Sequence, residues 1–190
     1  MSTSQLNFRE MYFQHPTLTK INGAPDYGSL AILTKEYKAN ASTVPSTRGG
    51  GFHGYLGLAS SAHAYERSSP TPFVRPVNPV LPDLTNSTAA QITEHRRQHK
   101  EDMEEYLTCN LVERTLIQQI NTAVDPECLS DLIDDDSGLL TGTIPEIMEH
   151  LFETYGHTTA QSLAAARLAV EGTVYNHDKP IGTIFTAIHE

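Results

Sequence analysis

The chain has 190 residues, of which 38% are hydrophobic and none is Trp, and it carries a net charge of −10. That length suits one domain with a substantial arm and argues against two large domains. The charge is uneven: residues 1–85 carry seven Lys/Arg against five Asp/Glu, and residues 86–190 six against eighteen. An acidic second half is ill suited to grip a phosphate backbone, which takes clustered Lys/Arg.

Cys109 and Cys128 are the only cysteines and form no C-x-x-C pair, which points to a reducing compartment. The N-terminus MSTSQLNFREMYFQHP lacks the apolar stretch of a secretory signal, and no run approaches the roughly 20 apolar residues of a membrane helix. The expected setting is soluble and cytoplasmic, with no membrane partner.

In chain order, residues 1–25 show scattered apolar side chains without a sustained period and read as an arm. From Asp26, a capping residue, Leu30, Leu33, Tyr37 and Ala41 recur at helical spacing, which predicts a short helix over about 26–42. RGGGFHGYLGL then crowds five glycines between Gly49 and Gly57, and Pro70, Pro72, Pro76, Pro79 and Pro82 follow. Proline fixes φ and removes a backbone donor, so an extended path over a surface is expected there. Residues 1–85 are therefore expected to form an N-terminal arm: the short helix, then a Gly/Pro-rich extended segment.

Helix formers run without Gly or Pro from Ala89 to Val124. The early part, AAQITEHRRQHKEDMEE, is almost wholly polar and should stand in solvent, supported by pairs such as Arg97–Glu101. Leu107, Leu111, Val112, Leu116, Ile117, Ile120 and Val124 predict a broad apolar face on the later part. Asp125 and Pro126 suit the start of a short helix over 126–133. In TIPEIMEHLFETYG, Thr143 caps, Pro145 falls in the first turn and Gly156 stops, while Ile144, Ile147, Met148, Leu151, Phe152 and Tyr155 form a core stripe. Two further helices are expected, one through Leu163, Arg167, Val170 and Val174 and one from Asp178. The last is cut at Glu190 on its apolar stripe, as if the chain were truncated. The fold class is all-α, with five or six helices in a domain over 86–190.

Few groupings resemble chemistry. His95 and His99 lie four apart on a helix, as metal ligands can, but Arg96 and Arg97 oppose a cation and no Glu follows the first His. DLIDDDSG fails the calcium-loop pattern, because setting Gly138 at position 6 leaves Ile133 at 1 and Ile144 at 12. It reads instead as an acidic turn between helices. GGGFHGYLGL has no following G-K-[ST] and reads as a flexible or close-packed loop. Ser60, Ser61, Cys109 and Cys128 lie in no nucleophile motif. Glu146, Glu149, His150 and Glu153 fall opposite the core stripe, where a solvated surface is expected. No catalytic, cofactor-binding or metal residue is assigned, and no enzyme activity is expected.

The ordered set GGG-x-HG-x-LGL, TPFVRPVNPVLP, AAQITEHRRQH, LIQQINTAVDPECLSDLIDDDSG, TIPEIMEHLFETYG and VYNHDKPIGTIFTAIHE resembles Gag-like polyprotein segments of copia-type LTR retrotransposons. The nearest forms are those of diatom and other algal or protist genomes, and the similarity covers roughly Leu18 to Glu190. The resemblance implies that residues 86–190 form a helical capsid-like domain. It also implies self-association into a virus-like particle around the element's RNA. No zinc knuckle of the C-x-x-C-x-x-x-x-H-x-x-x-x-C kind is present, so RNA contact is expected only through regions outside this chain. The alternative expectation is a small helical interaction module, an adaptor with one heterologous partner and no catalysis.

Overall fold

In the computed structural model, which describes residues 3–46, 53–85, 87–157 and Leu168, the stripe Leu30, Leu33, Tyr37 and Ala41 is the buried face of helix α2 (Tyr27–Thr43). Asp26 caps α2 as its spacing predicts, accepting from the Ser29 backbone N–H at 2.7 Å. An earlier helix, α1 (Thr3–Tyr12), precedes it, and α3 (Ala62–Glu66) follows a 3-10 turn at Leu56–Leu58. The long helix α4 covers Ala89–Ala123, a second 3-10 helix covers Pro126–Leu132, and α5 covers Ile144–Tyr155. The fold is all-α. Among the described residues the extended pairing is limited to an isolated antiparallel bridge between Ile133 and Leu140. The helices expected beyond Thr158 lie outside the described residues.

α2 packs against α4, α5 and the Leu56–Leu58 turn, and α5 against α4 and the Pro126–Leu132 turn. The shared core takes Leu30, Leu33 and Tyr37 from α2, Val112, Leu116 and Ile120 from α4, and Ile144, Ile147 and Leu151 from α5. Each such aliphatic side chain contributes about 1.5–3 kcal/mol on burial, so this junction dominates the stability of the described fold. Phe152 and Tyr155 pack only partly against it.

Two expectations need correction. Residues 1–85 are not an arm lying outside a separate domain over 86–190, because Phe13, Leu18, Ile21, Tyr55, Leu58 and Ala59 belong to the same core as α4 and α5. Polar side chains fix this docking. Asn40, fully buried, accepts from the His15 backbone N–H at 2.7 Å and donates to the His15 carbonyl at 2.7 Å and to Gln119 Oε1 at 3.0 Å. Gln119 in turn donates to the carbonyls of His15 and Pro16. One Asn and one Gln thus satisfy the backbone of an irregular segment between two helices, as buried polar groups require. The second correction concerns Leu107, which is 57% exposed. The buried face of α4 begins at Cys109 and continues through Val112, Thr115, Leu116, Gln119, Ile120 and Ala123.

The glycine-rich loop is close-packed where it is described. Gly54 has φ +50, and a Cβ there would meet the Val44 carbonyl oxygen at 2.4 Å. This approach lets Tyr55 N–H donate to the Ala41 carbonyl at 2.8 Å, satisfying an acceptor that the end of α2 leaves open. A Cβ at Gly57 would lie 2.1 Å from Phe73 Cγ, so that glycine gives the ring its seat.

Candidate functional site: the proline strap and the outer face of α4

The proline-rich segment is anchored at its start by an aromatic group. Phe73 meets Tyr65 edge-on at 5.8 Å and Tyr55 at 6.4 Å, and both tyrosines are buried. Two residues on, Arg75 forks onto Glu113 of α4 through two parallel bonds of 2.8 and 2.5 Å. Bidentate geometry makes this pair more specific than an ordinary surface contact. The Glu113 bond raises the Arg75 pKa above its ordinary value, while partial burial works against it.

At its other end the segment turns into α4. Asp83 accepts from Thr85 N–H and hydroxyl, bonds that hold its carboxyl below the ordinary value. Thr88 and Gln91 form a capping box at the start of α4. Ala89 to Glu113 is 24 helical steps, about 36 Å. The 9 steps from Arg75 to Leu84 reach about 28 Å at the ~3.1 Å rise of polyproline II, and a turn in which Ser87 N–H donates to the Leu84 carbonyl at 3.1 Å joins them to α4. With the Arg75 and Glu113 side chains covering the remaining distance, the segment runs back along α4 extended up to that turn, as a strap.

Burial along the strap repeats every three residues, the polyproline II period. Phe73, Pro76 and Pro79 are buried or half-buried, whereas Val74, Val77 and Val80 are 62%, 80% and 88% exposed. Leu81, 43% exposed, lies next to this row but off its register. The described fold thus presents a row of three valines held outward on a tethered, proline-stiffened backbone.

α4 has three sectors over its first five turns. One, continuing from Asn110 and Glu113 through Tyr106, Met103 and His99, is half-buried and is the face to which Arg75 is tied. A second lines a recess of about 590 Å³ with Pro45, Tyr55, Gln98, Asp102 and Glu105, a lining that also takes in Glu101 and Glu104, and Ser46 donates to Glu105 at 3.0 Å. The third sector, Thr93, Arg97, Lys100, Glu104 and Leu107, is exposed. Arg97 there pairs with both Glu94 and Glu101 on its own helix, and these bonds raise its pKa.

The residues weighed for chemistry fall apart spatially. His95 is exposed and His99 half-buried on α4, and no group of three His, Cys, Asp or Glu among the described residues is disposed to hold a metal ion. Asp134 accepts from Ser137 N–H and hydroxyl and closes the DDDSG turn, which Gly138 completes at φ +65. Glu146 accepts from Thr143 N–H at 2.7 Å and from its hydroxyl, forming a capping box that lowers the Glu146 pKa. Glu149 and Glu153 are exposed and His150 is half-buried. Ser61 caps α3, and Ser60 is half-buried. Both cysteines are buried free thiols, and burial pushes Cys109 up to about 11. The recess beside α4 takes no side chain from α5.

Reading the sequence alone misses Arg75, Asn40 and Gln119. Asn40 and Gln119 carry a usable signal, since each is a polar residue on an otherwise apolar stripe, at the Tyr37 and Leu116 spacing. Arg75 carries none, because its partner lies 38 residues away.

Comparison with family models, curated proteins and solved structures yields no match to this chain. No helix among the described residues is long and apolar enough to cross a membrane.

Proposed function

We propose that this protein is a structural, Gag-like capsid segment of a copia-type LTR retrotransposon. In this reading it is a cytoplasmic protein that self-associates into a virus-like particle around element RNA, with RNA contact made by regions outside this chain. The motif resemblance supports the reading, and the outward row of Val74, Val77 and Val80 is the observation that carries it. With Leu81 these four residues form a patch smaller than the ~800 Å² per partner of a standard interface. Contacts of that size are individually weak, and closed symmetric assembly is built from many of them. Holding the row on a pre-extended backbone lowers the entropy lost on docking.

The test is light scattering of the full chain against the variant Val74→Ser/Val77→Ser/Val80→Ser, over a rising protein concentration. The native chain should form particles visible by electron microscopy, and the variant should stop at small oligomers and form none. A native chain that stays monomeric at high concentration and moderate salt would overturn the proposal.

A further inference from the structure

Charge is segregated along the exposed half of α4. Residues 95–100 include Arg96, Arg97 and Lys100 and no acid; residues 101–105 include Glu101, Asp102, Glu104 and Glu105 and no base. The sign changes across a single peptide bond. Glu105 is taken by Ser46, and Asp102 lies in the recess beside it, whose lining Glu101 and Glu104 share. Arg97, Lys100, Glu101 and Glu104 remain accessible, with side chains 53%, 78%, 53% and 66% exposed. Thr93, Arg97, Lys100, Glu104 and Leu107 recur at intervals of four, three, four and three, the seam spacing with which two helices pack side by side.

From this pattern we infer that α4 pairs with α4 of a second copy of this chain, antiparallel, about a two-fold axis between Lys100 and Glu101. The inference rests on the self-association proposed above and names one of its contacts. A two-fold contact brings one patch against itself, so it must be self-complementary. An axis at this point sets Arg97 opposite Glu104, a pairing that occurs twice, with Lys100 and Glu101 level with each other on the two flanks of the contact. A parallel arrangement would set like charge against like. The pattern therefore selects both the partner and its direction. At each end, Leu107, 57% exposed, lies over the Thr93 turn of the other copy and supplies the apolar part of the contact.

The same-helix pairs do not compete away this interface. Arg97–Glu94, Arg97–Glu101 and Lys100–Glu104, the last at 3.8 Å, are exposed pairs of a kind that contributes little. On docking, each of the charges at 97, 100, 101 and 104 keeps its own-helix partner within reach and gains one from the other chain, while water between them is reduced.

The experiment uses the full chain carrying Val74→Ser/Val77→Ser/Val80→Ser, so that strap contacts do not obscure the reading. Two variants are made in it: Arg97→Glu/Lys100→Glu, with an all-acidic seam, and Glu101→Lys/Glu104→Lys, with an all-basic one. Circular dichroism checks that both keep their helix content, and Lys100→Glu and Glu101→Lys alone serve as milder forms. Sedimentation should show a dimer for the parent that weakens in ~1 M salt, where the screening length falls to about 3 Å. Each variant alone should dimerise at least tenfold more weakly, and an equimolar mixture should recover the parent affinity. Unchanged self-association of either variant, or a mixture that fails to recover, overturns the inference. Particles formed by the native chain without charge-dependent pairing would leave the capsid reading standing and sink this contact. Pairing without particles would do the reverse.

Discussion

Replacing Asn40 by alanine tests whether the first 25 residues are part of the fold or merely attached to it. The native side chain is fully buried and makes three bonds: from His15 N–H at 2.7 Å, to His15 C=O at 2.7 Å and to Gln119 Oε1 at 3.0 Å. The His15 carbonyl keeps a second donor in Gln119 Nε2 at 3.0 Å, so its loss is partial. His15 N–H and Gln119 Oε1 lose the partner seen here, and each stranded group costs about 1–3 kcal/mol when buried. Because His15 N–H is only partly buried, the lower half of that range applies to it, and the total comes to about 3 kcal/mol. For a domain of this size that lowers Tm by roughly 6–12 °C. Urea unfolding followed by far-ultraviolet circular dichroism should show the midpoint fall with an unchanged slope, as one cooperative unit requires. The reasoning is refuted if the midpoint moves by less than the equivalent of about 1 kcal/mol. It is equally refuted if proteases gain access to residues 1–25 while the midpoint holds, since the segment would then be separable.

Ile147→Asp puts a charge where the side chain has no exposure and should cost about 4 kcal/mol or unfold the chain, whereas Glu149→Ala on the opposite face should stay within about 0.5 kcal/mol. Urea midpoints compare the two, and equal effects would mean that the faces of α5 are misassigned. Gly54→Ala should cost at least about 2 kcal/mol by calorimetry, combining left-handed backbone with a Cβ 2.4 Å from the Val44 carbonyl oxygen. An alanine tolerated there would mean that the loop does not close on α2. Alkali should weaken the fold between about pH 9 and 12. Burial raises Cys109 from 9.0 to about 11 and Tyr37 from 10.0 to about 12, so the unfolded chain loses these protons first and stability falls as pH rises through that window. Midpoints at stepped pH should show the decline, and Cys109→Ser should flatten its lower part.

Much of the helical order is legible in the sequence because caps and stripes are local. Asp26, Thr143 and Gly156 end their helices as their types require, and Ile144, Ile147, Met148 and Leu151 are buried at their predicted spacing. What is not legible depends on distant partners. Phe13, Leu18 and Ile21 have no period and are buried because Asn40 and Gln119, up to 104 residues away, hold the backbone between them. The glycines at 54 and 57 announce close approach without naming Val44 or Phe73 as the neighbour. Leu107 fails in the opposite sense: helical periodicity continues past the point where the core ends, so an apolar residue on the register is left in solvent. The strap was legible as extended, but its direction depends on the Arg75–Glu113 fork.

That fork bears on why the first half of α4 is a helix at all. Residues 89–108 are 20 positions with almost no buried side chain, and an isolated helix of that length is marginal in water. Three devices support it: the Thr88–Gln91 capping box, the same-helix ion pairs and the strap, tied to Glu113 and Asn110 through Arg75. The capping box contributes about 1 kcal/mol, and the exposed ion pairs contribute little. The strap adds contact at low entropic cost, because its prolines restrict the unfolded chain as well. Helix and strap therefore stiffen each other, and together they carry the exposed valine row and the charged row of α4. A projection of about 30 Å built almost wholly from polar helix adds little to the stability of the core that carries it. Its length is accounted for if both rows meet other copies of the chain.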